Sequence, residues 1–271
     1  MDRLTPGVML WAGRDPAQTL SELIPLGLHD GQLGIPGHLP LPGLAPAWRK
    51  AATDADFTIH TVFTAYEGES YADLRTVQCT VGFVPPKFRS AREARTHAVI
   101  DFAQELGVPG IATHIGFVPE NSSDPEYQAV LELVRRIADH ATPMTFALET
   151  GQETAPALLA FLHAAERPNL GINFDPANLI LYGTGEPIEA LTLLDPHILT
   201  VHAKDGLWPA APGELGRETP LGEGSVGIPA FLAKLRAIGY RKPVFIEREA
   251  SDPEQRLRDI ARAVSFIRQQ I

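Results

Sequence analysis

Cysteine is nearly absent. Cys79 stands alone in 271 residues, so no internal disulfide framework can form, and one thiol fits a reducing compartment. Basic residues are also sparse, with 23 Lys and Arg against 33 Asp and Glu for a formal net charge of −10. A surface that tracks phosphate backbones needs Lys and Arg, so nucleic acid is not expected as a partner. No stretch approaches the ~18 uninterrupted apolar residues that span a bilayer, and no membrane contact is expected. The opening MDRLTPGVMLWAGRDP has no basic start followed by a long apolar core, which is the secretory pattern, so a cytoplasmic location is expected. There is no low-complexity tail, no obvious linker and no Gly-rich phosphate turn after the first apolar run. What remains is ordinary globular composition, 44% hydrophobic and 21% charged, in a chain long enough to bury a large core.

Short apolar runs alternate with helix-like stretches along the whole chain. Strands are expected at 8–12, 32–35, 57–63, 110–115, 145–149, 170–174, 198–202 and 244–246. Between them lie helical patterns. The first opens at Asp15-Pro16, an N-cap followed by a first-turn proline, and a short one covers 46–54. The third covers 90–106, with Ser90 as cap, Glu93 three residues on and Gly107 as terminator. Further helices are expected at 124–140, 154–166, 186–194, 229–238 and 252–271. Residues 64–90 show little periodicity and read as a long loop forming a lid or substrate wall. Eight strand–helix units predict an α/β fold, one (β/α)₈ barrel domain over 1–271, with a doubly wound open sheet as the rival.

Four residues carry the chemistry. Glu149 in FALET, Asp175 in GINFD, His202 in LTVHAKD and Glu247 in PVFIERE each end an apolar run, 26, 27 and 45 residues apart. One barrel unit takes about 30 residues, and the C-terminal strand ends converge on the face where barrel enzymes work. Three carboxylates and an imidazole meeting there form a site for one divalent metal, with Mn²⁺, Co²⁺, Mg²⁺ or Zn²⁺ all compatible. Each residue has a plainer reading. A lone carboxylate at a strand end is commonly a solvated loop residue, Asp175 before Pro176 can cap a turn, and His202 can be a satisfied core histidine. Four together are harder to dismiss, because carboxylates on apolar strands need pairing or a cation.

At the Glu149 strand, GINFDPANL, VHAKD, LGEGSVG and the FIERE strand, the chain resembles the xylose-isomerase-like barrel superfamily of sugar epimerases, inosose dehydratase-like proteins and endonuclease IV relatives. The likeness runs over nearly the whole chain. It implies that Glu149, Asp175, His202 and Glu247 ligate one metal and that Glu149 and Glu247 also shuttle a proton. The ketose 3-epimerase pattern Asp-x-x-His is broken, since Asn178 follows Asp175 where a substrate-contacting histidine is expected. In endonuclease IV relatives, histidines at the ends of strands three and four bind extra zinc. Here His60 and His114 lie near those strands, but Asn178 replaces one ligand and Arg217–Thr219 reads RET where an Asp-Arg-His stretch is expected.

His60 and His114 are therefore read as substrate-hydroxyl contacts, with buried, backbone-bonded histidines as the alternative. Lys204 shares a strand face with His202 and is expected to bind a substrate oxygen or to pair with Asp205 or a neighbouring carboxylate. Asn178 is expected to orient a hydroxyl. Arg217 is a weaker substrate-binding candidate. LGEGSVG is one Gly-rich turn, weak as a phosphate cradle and sufficient as a loop closer. The leading expectation is a metal-dependent isomerase or epimerase that acts on a small sugar or polyol of ketose type through an enediolate, with homo-oligomerisation left open. The alternatives are an inosose-dehydratase-like lyase, a metal-dependent hydrolase or nuclease of endonuclease IV type, and a non-catalytic sugar-binding barrel.

Overall fold

The computed structural model describes residues 4–271. In chain order the elements are β1 (Pro6–Trp11), α1 (Pro16–Ser21), β2 (Asp30–Ile35), α2 (Leu44–Asp54), β3 (Thr58–Thr64), α3 (Leu74–Thr80), α4 (Arg89–Leu106), β4 (Gly110–Thr113), α5 (Pro125–Ala141) and β5 (Thr145–Glu149). They continue with α6 (Ala155–Ala165), β6 (Leu170–Phe174), α7 (Pro176–Tyr182), α8 (Pro187–Leu194), β7 (Ile198–Ala203), β8 (Asp205–Leu207), β9 (Arg217–Thr219), α9 (Ile228–Ala237), β10 (Val244–Ile246) and α10 (Pro253–Gln270). Strands β1 to β7 and β10 close into a parallel barrel in the order β1-β10-β7-β6-β5-β4-β3-β2. The fold is a single (β/α)₈ barrel, as expected; β8 and β9 form a separate antiparallel pair above it.

Strand alternation sorts the core into two layers. One face of each strand supplies Val8, Val62, Ile111, Phe146, Ile172 and Ile246 to the continuous cluster packed against the helices. The opposite face supplies Met9, Phe63, Ala112 and Ala147, a smaller cluster within the barrel. Helix α5 buries Val130, Leu133, Val134 and Ile137, spaced at the helical period, on one stripe. Each such side chain contributes about 1.5–3 kcal/mol when fully buried. Among the described residues, no helix is long and apolar enough to cross a membrane.

Several local expectations change. Ser90 does not cap its helix; the helix starts at Arg89 from a 3₁₀ turn at Pro86–Phe88, and its cap position has no side-chain bond. The long loop at 64–90 contains α3, capped by the Asp73 carboxylate on the Thr76 amide at 2.8 Å. Helix α7 begins directly at Pro176, where the sequence pattern showed none. Asp15, Asp124, Thr154 and Asp252 cap α1, α5, α6 and α10 through their side chains. Prolines in the first turns of these helices fit a position whose amide needs no partner.

Candidate metal centre

Period-two alternation aims a defined set of side chains at the barrel axis. Because Ala147 points inward from β5, so does Glu149; Asn173 brings Asp175, and Thr200 brings His202 and Lys204. Beyond β10, Glu247 and Glu249 share one face in the same way. Glu149, Asp175, His202 and Glu247 meet, each offering one ligand atom within 4.8 Å of all the others. His202 Nδ1 is the common point, 3.2 Å from Glu149 Oε1, 3.3 Å from Asp175 Oδ2 and 3.1 Å from Glu247 Oε2.

The imidazole is fixed from below. His202 Nε2 donates to Gln32 Oε1 at 2.6 Å, which leaves Nδ1 as the nitrogen offered to the carboxylates. Gln32 is held in turn: its amide donates to Asn173 Oδ1 at 3.3 Å, and Thr200 donates to the same oxygen at 2.5 Å. Asp175 divides its two oxygens. Oδ1 accepts from the Ala177 and Asn178 amides at 2.8 and 3.0 Å and caps α7, while Oδ2 faces the cluster. The capping reading of this residue is therefore realised, and its second oxygen is left facing the cluster.

Lys204 is buried and spans the acidic groups. Its Nζ lies 2.8 Å from Glu249, 3.0 Å from Glu247 and 3.8 Å from Asp175, and donates to Asn178 Oδ1 at 3.4 Å. Of the two pairings expected for Lys204, the one with a neighbouring carboxylate is formed and the one with Asp205 is not, because consecutive residues point to opposite faces. Burial opposes the charge on Lys204, but Glu247, Glu249, Asp175 and Glu149 hold its pKa well above the usual lysine value. Burial likewise opposes protonation of His202, and Glu247, Glu149 and Asp175 overcome it and raise its pKa well above the ordinary imidazole range. Burial lifts Asp175 in the opposite sense. Glu149, Asp175, His202 and Glu247 together offer a donor set that suits a divalent cation. Ligand oxygens on opposite sides of a cation bonded at ~2.1 Å are ~4.2 Å apart, so a small contraction fits the four donors around one ion.

Asp205, one residue beyond Lys204, serves the Gly-rich loop. Its buried carboxylate accepts from Gly206 at 2.9 Å, Gly222 at 2.9 Å, Gly224 at 3.1 Å and Val226 at 3.1 Å. A Cβ on Gly224 would lie 2.1 Å from Asp205 Oδ1, which is why glycine is needed there. The LGEGSVG turn thus closes on the protein's own carboxylate.

The remaining candidates separate clearly. His114 comes to the cluster, with Nε2 3.4 Å from Glu149 Oε2 and its ring 5.9 Å from that of Tyr71. Asn178 donates to Glu149 Oε1 at 3.1 Å, so both ends of its amide are engaged by protein groups. His60 does not reach the site. It lies near the N-terminal end of β3 and pairs with Asp30, the first residue of β2, at 2.6 Å. Arg217 is exposed and does not line the cavity above the cluster; its neighbour Glu218 does.

Sequence reasoning missed several residues of that cavity: Trp11, Glu69, Tyr71, Glu218 and Glu249. Glu249 was detectable, two positions after Glu247 on one strand face. Glu69 and Tyr71 come from the long loop after β3, which does form a wall of the site. Burial pushes the Glu218 carboxyl up to about 6 despite the nearby Lys204 and Arg248.

A family profile described as xylose isomerase-like TIM barrel matches residues 22–270. The crystal structure of a xylose isomerase domain protein from Planctomyces limnophilus is 39% identical with a TM-score of 0.93, covering 99% of this chain and 97% of that one. A xylose isomerase-like barrel protein from Mycobacterium smegmatis, solved in complex with magnesium, is 19% identical with a TM-score of 0.72 over 98% and 96% of the two chains. An L-ribulose 3-epimerase shares the fold at 16% identity, with a TM-score of 0.74 over 98% and 94%. The Escherichia coli (strain K12) uncharacterized protein YihM is 33% identical over 102 residues, which span 37% of this chain and 31% of that protein. With the profile over most of its length, a close structural relative and an intact four-residue cluster, the chain belongs to the xylose isomerase-like TIM barrel family.

Proposed function

We infer that the protein is a divalent-metal-dependent isomerase or epimerase of a ketose-type sugar or polyol, with Glu149 and Glu247 as its proton carriers. The observation that carries this reading is the placement of the two glutamates. They come from β5 and the end of β10, which β6 and β7 separate in the ring, yet both converge on His202 Nδ1. A carbon held between them is open to one carboxylate on each face, which is what inversion through a planar enediolate requires. Glu149, Asp175, His202 and Glu247 would hold a divalent ion, whose Lewis acidity would polarise the carbonyl and acidify the adjacent C–H.

The chain's own groups do the rest. Burial opposes the charge on Glu247, but Lys204 and His202 hold its carboxyl well below the usual range, so it is ionised. Asn178 and His114 orient Glu149 from two sides. His114 lines the cavity and presents a donor to substrate oxygens, while Lys204 holds Glu247 and Glu249 in place. The L-ribulose 3-epimerase of the same fold supports this reaction class.

A dehydration that shares the first proton abstraction is the second reading. Glu218, half-buried in the cavity wall with its pKa at about 6, is a proton donor apart from the cluster and suited to protonate a departing hydroxyl.

The test is solvent-deuterium exchange at the carbon next to the carbonyl across a panel of ketoses and inososes, with Mg²⁺ or Mn²⁺ present. Exchange is expected in the wild type, and Glu149→Gln and Glu247→Gln should each lower it roughly 10²–10⁴-fold at saturating metal. Near-normal exchange in both variants would remove the proton-carrier assignment. Loss of water rather than epimerised product would select the second reading.

A further inference from the structure

Two chambers open above the centre. The inner one, about 320 Å³, sits over the cluster, and the outer one, about 800 Å³, lies along the loops after β1 and β10. They adjoin, since Trp11, Tyr71, Glu247 and Glu249 line both. At the junction Trp11 and Tyr71 are each 45% exposed, far more than large aromatics ordinarily are in a folded domain. Their rings continue inward through Phe63, edge-on to Trp11 at 6.4 Å, and His114, 5.6 Å from Phe63, to Glu149. An aromatic wall thus runs from the outer chamber to the reacting end, offering flat apolar faces to the C–H face of a sugar ring.

The inner chamber is hostile to a phosphate. Glu69, Glu218, Glu247 and Glu249 line it, and among the described residues Lys204 is its one Lys or Arg. That amine is already committed to Glu247, Glu249 and Asn178. Arg248 is held by Glu218 and Asp259. Arg14 and Arg256 line the outer chamber and not the inner. The one Gly-rich turn that could cradle an anion has its amides filled by Asp205. The α7 amides of Ala177 and Asn178 are taken by Asp175.

From these features we propose that the substrate is an uncharged sugar carrying a second ring, which passes Trp11 and Tyr71 into the outer chamber, and that sugar phosphates are excluded. The proposal rests on the reading of the cluster as the place where a ketose is enolised. The second ring occupies the outer chamber, where its binding energy positions the reacting unit, whereas a phosphate on the ketose itself lies among the carboxylates of the inner one.

Three ketoses that share one core and differ at O6 test it: D-fructose, D-fructose 6-phosphate and 6-O-α-D-glucopyranosyl-D-fructose. Calorimetric titration of the full chain with Mg²⁺ present should show the disaccharide binding about tenfold tighter than fructose, as one aromatic contact provides. Fructose 6-phosphate should bind about tenfold weaker than fructose, with the gap narrowing in high salt. Trp11→Ala should erase most of the disaccharide's advantage, and Tyr71→Ala provides a second exposed position should the first variant misfold. Fructose 6-phosphate binding as tightly as fructose, or a disaccharide with no advantage, overturns the proposal. Deuterium exchange on the same samples reads the other question separately. A disaccharide that binds preferentially without exchanging leaves the specificity standing and removes the isomerase reading, whereas preferential exchange of the phosphate does the reverse.

Discussion

Replacing Asp205 should destabilise the protein while leaving the metal cluster's composition intact. Its carboxylate is 1% exposed and accepts four main-chain donors, Gly206, Gly222, Gly224 and Val226. In Asp205→Ala all four N–H groups lose their acceptor. A buried donor left unpaired costs about 1–3 kcal/mol, and water entering the vacated volume recovers part of that. A net loss of about 3–5 kcal/mol follows, the range for breaking a buried polar network. Asp205→Asn distinguishes acceptor geometry from size. One oxygen still receives two amides, but an NH₂ now meets the other two donors, so about 2–4 kcal/mol should be lost with the volume preserved. Urea unfolding followed by circular dichroism reads the free energy, with an unchanged slope showing that the exposed surface is the same. Amide exchange should rise at residues 222–226 before the barrel strands are affected. An Asp205→Ala variant within about 1 kcal/mol of wild type would refute the argument, because it would mean that the loop amides are satisfied without the carboxylate.

Three further outcomes are expected. Gln32→Leu removes the acceptor that orients His202, so divalent-metal affinity measured by competition with a chelator should fall about 10–100-fold; unchanged affinity would show that the imidazole needs no support from below. Burial raises the Glu153 carboxyl to about 8, so the folded state keeps its proton at neutral pH, and the associated stability is full below the ordinary carboxyl pKa and lost as pH rises through about 8. Up to roughly 5 kcal/mol is at stake, and Glu153→Gln should flatten the decline between about pH 5 and 8; an equal slope in both proteins would sink the assignment. Asn178 braces Glu149 and Lys204, so Asn178→Ala should lower kcat of the deuterium-exchange reaction about tenfold or more. A rise in KM alone would return it to the hydroxyl-orienting role that the sequence proposed.

How much of this was legible depends on the range over which each feature is determined. Four residues ending apolar runs are local patterns, and the barrel's repeat brings such positions together, so the cluster could be read from spacing. A strand has two ends, however, and apolar residues mark its extent without marking which end a polar residue serves. His114 follows β4 and reaches Glu149, whereas His60 lies near the start of β3 and pairs with Asp30. The same alternation that placed Lys204 beside His202 also turned Asp205 away from it, a consequence present in the sequence but not drawn from it. The loops were beyond reach for a different reason. Nothing near Asp205 in sequence indicates that its partners lie 17 to 21 residues downstream, because that contact exists only once β8 and β9 have paired. Trp11 reads as one more apolar strand residue until Tyr71, sixty positions later, is seen to line the same opening. The four-residue cluster is therefore written in the short-range strand pattern, which the backbone period converts directly into geometry. The lining of the cavity is written in long-range loop contacts, and for this chain those contacts place aromatic faces and carboxylates around the inner chamber and fill the amides of the Gly-rich turn.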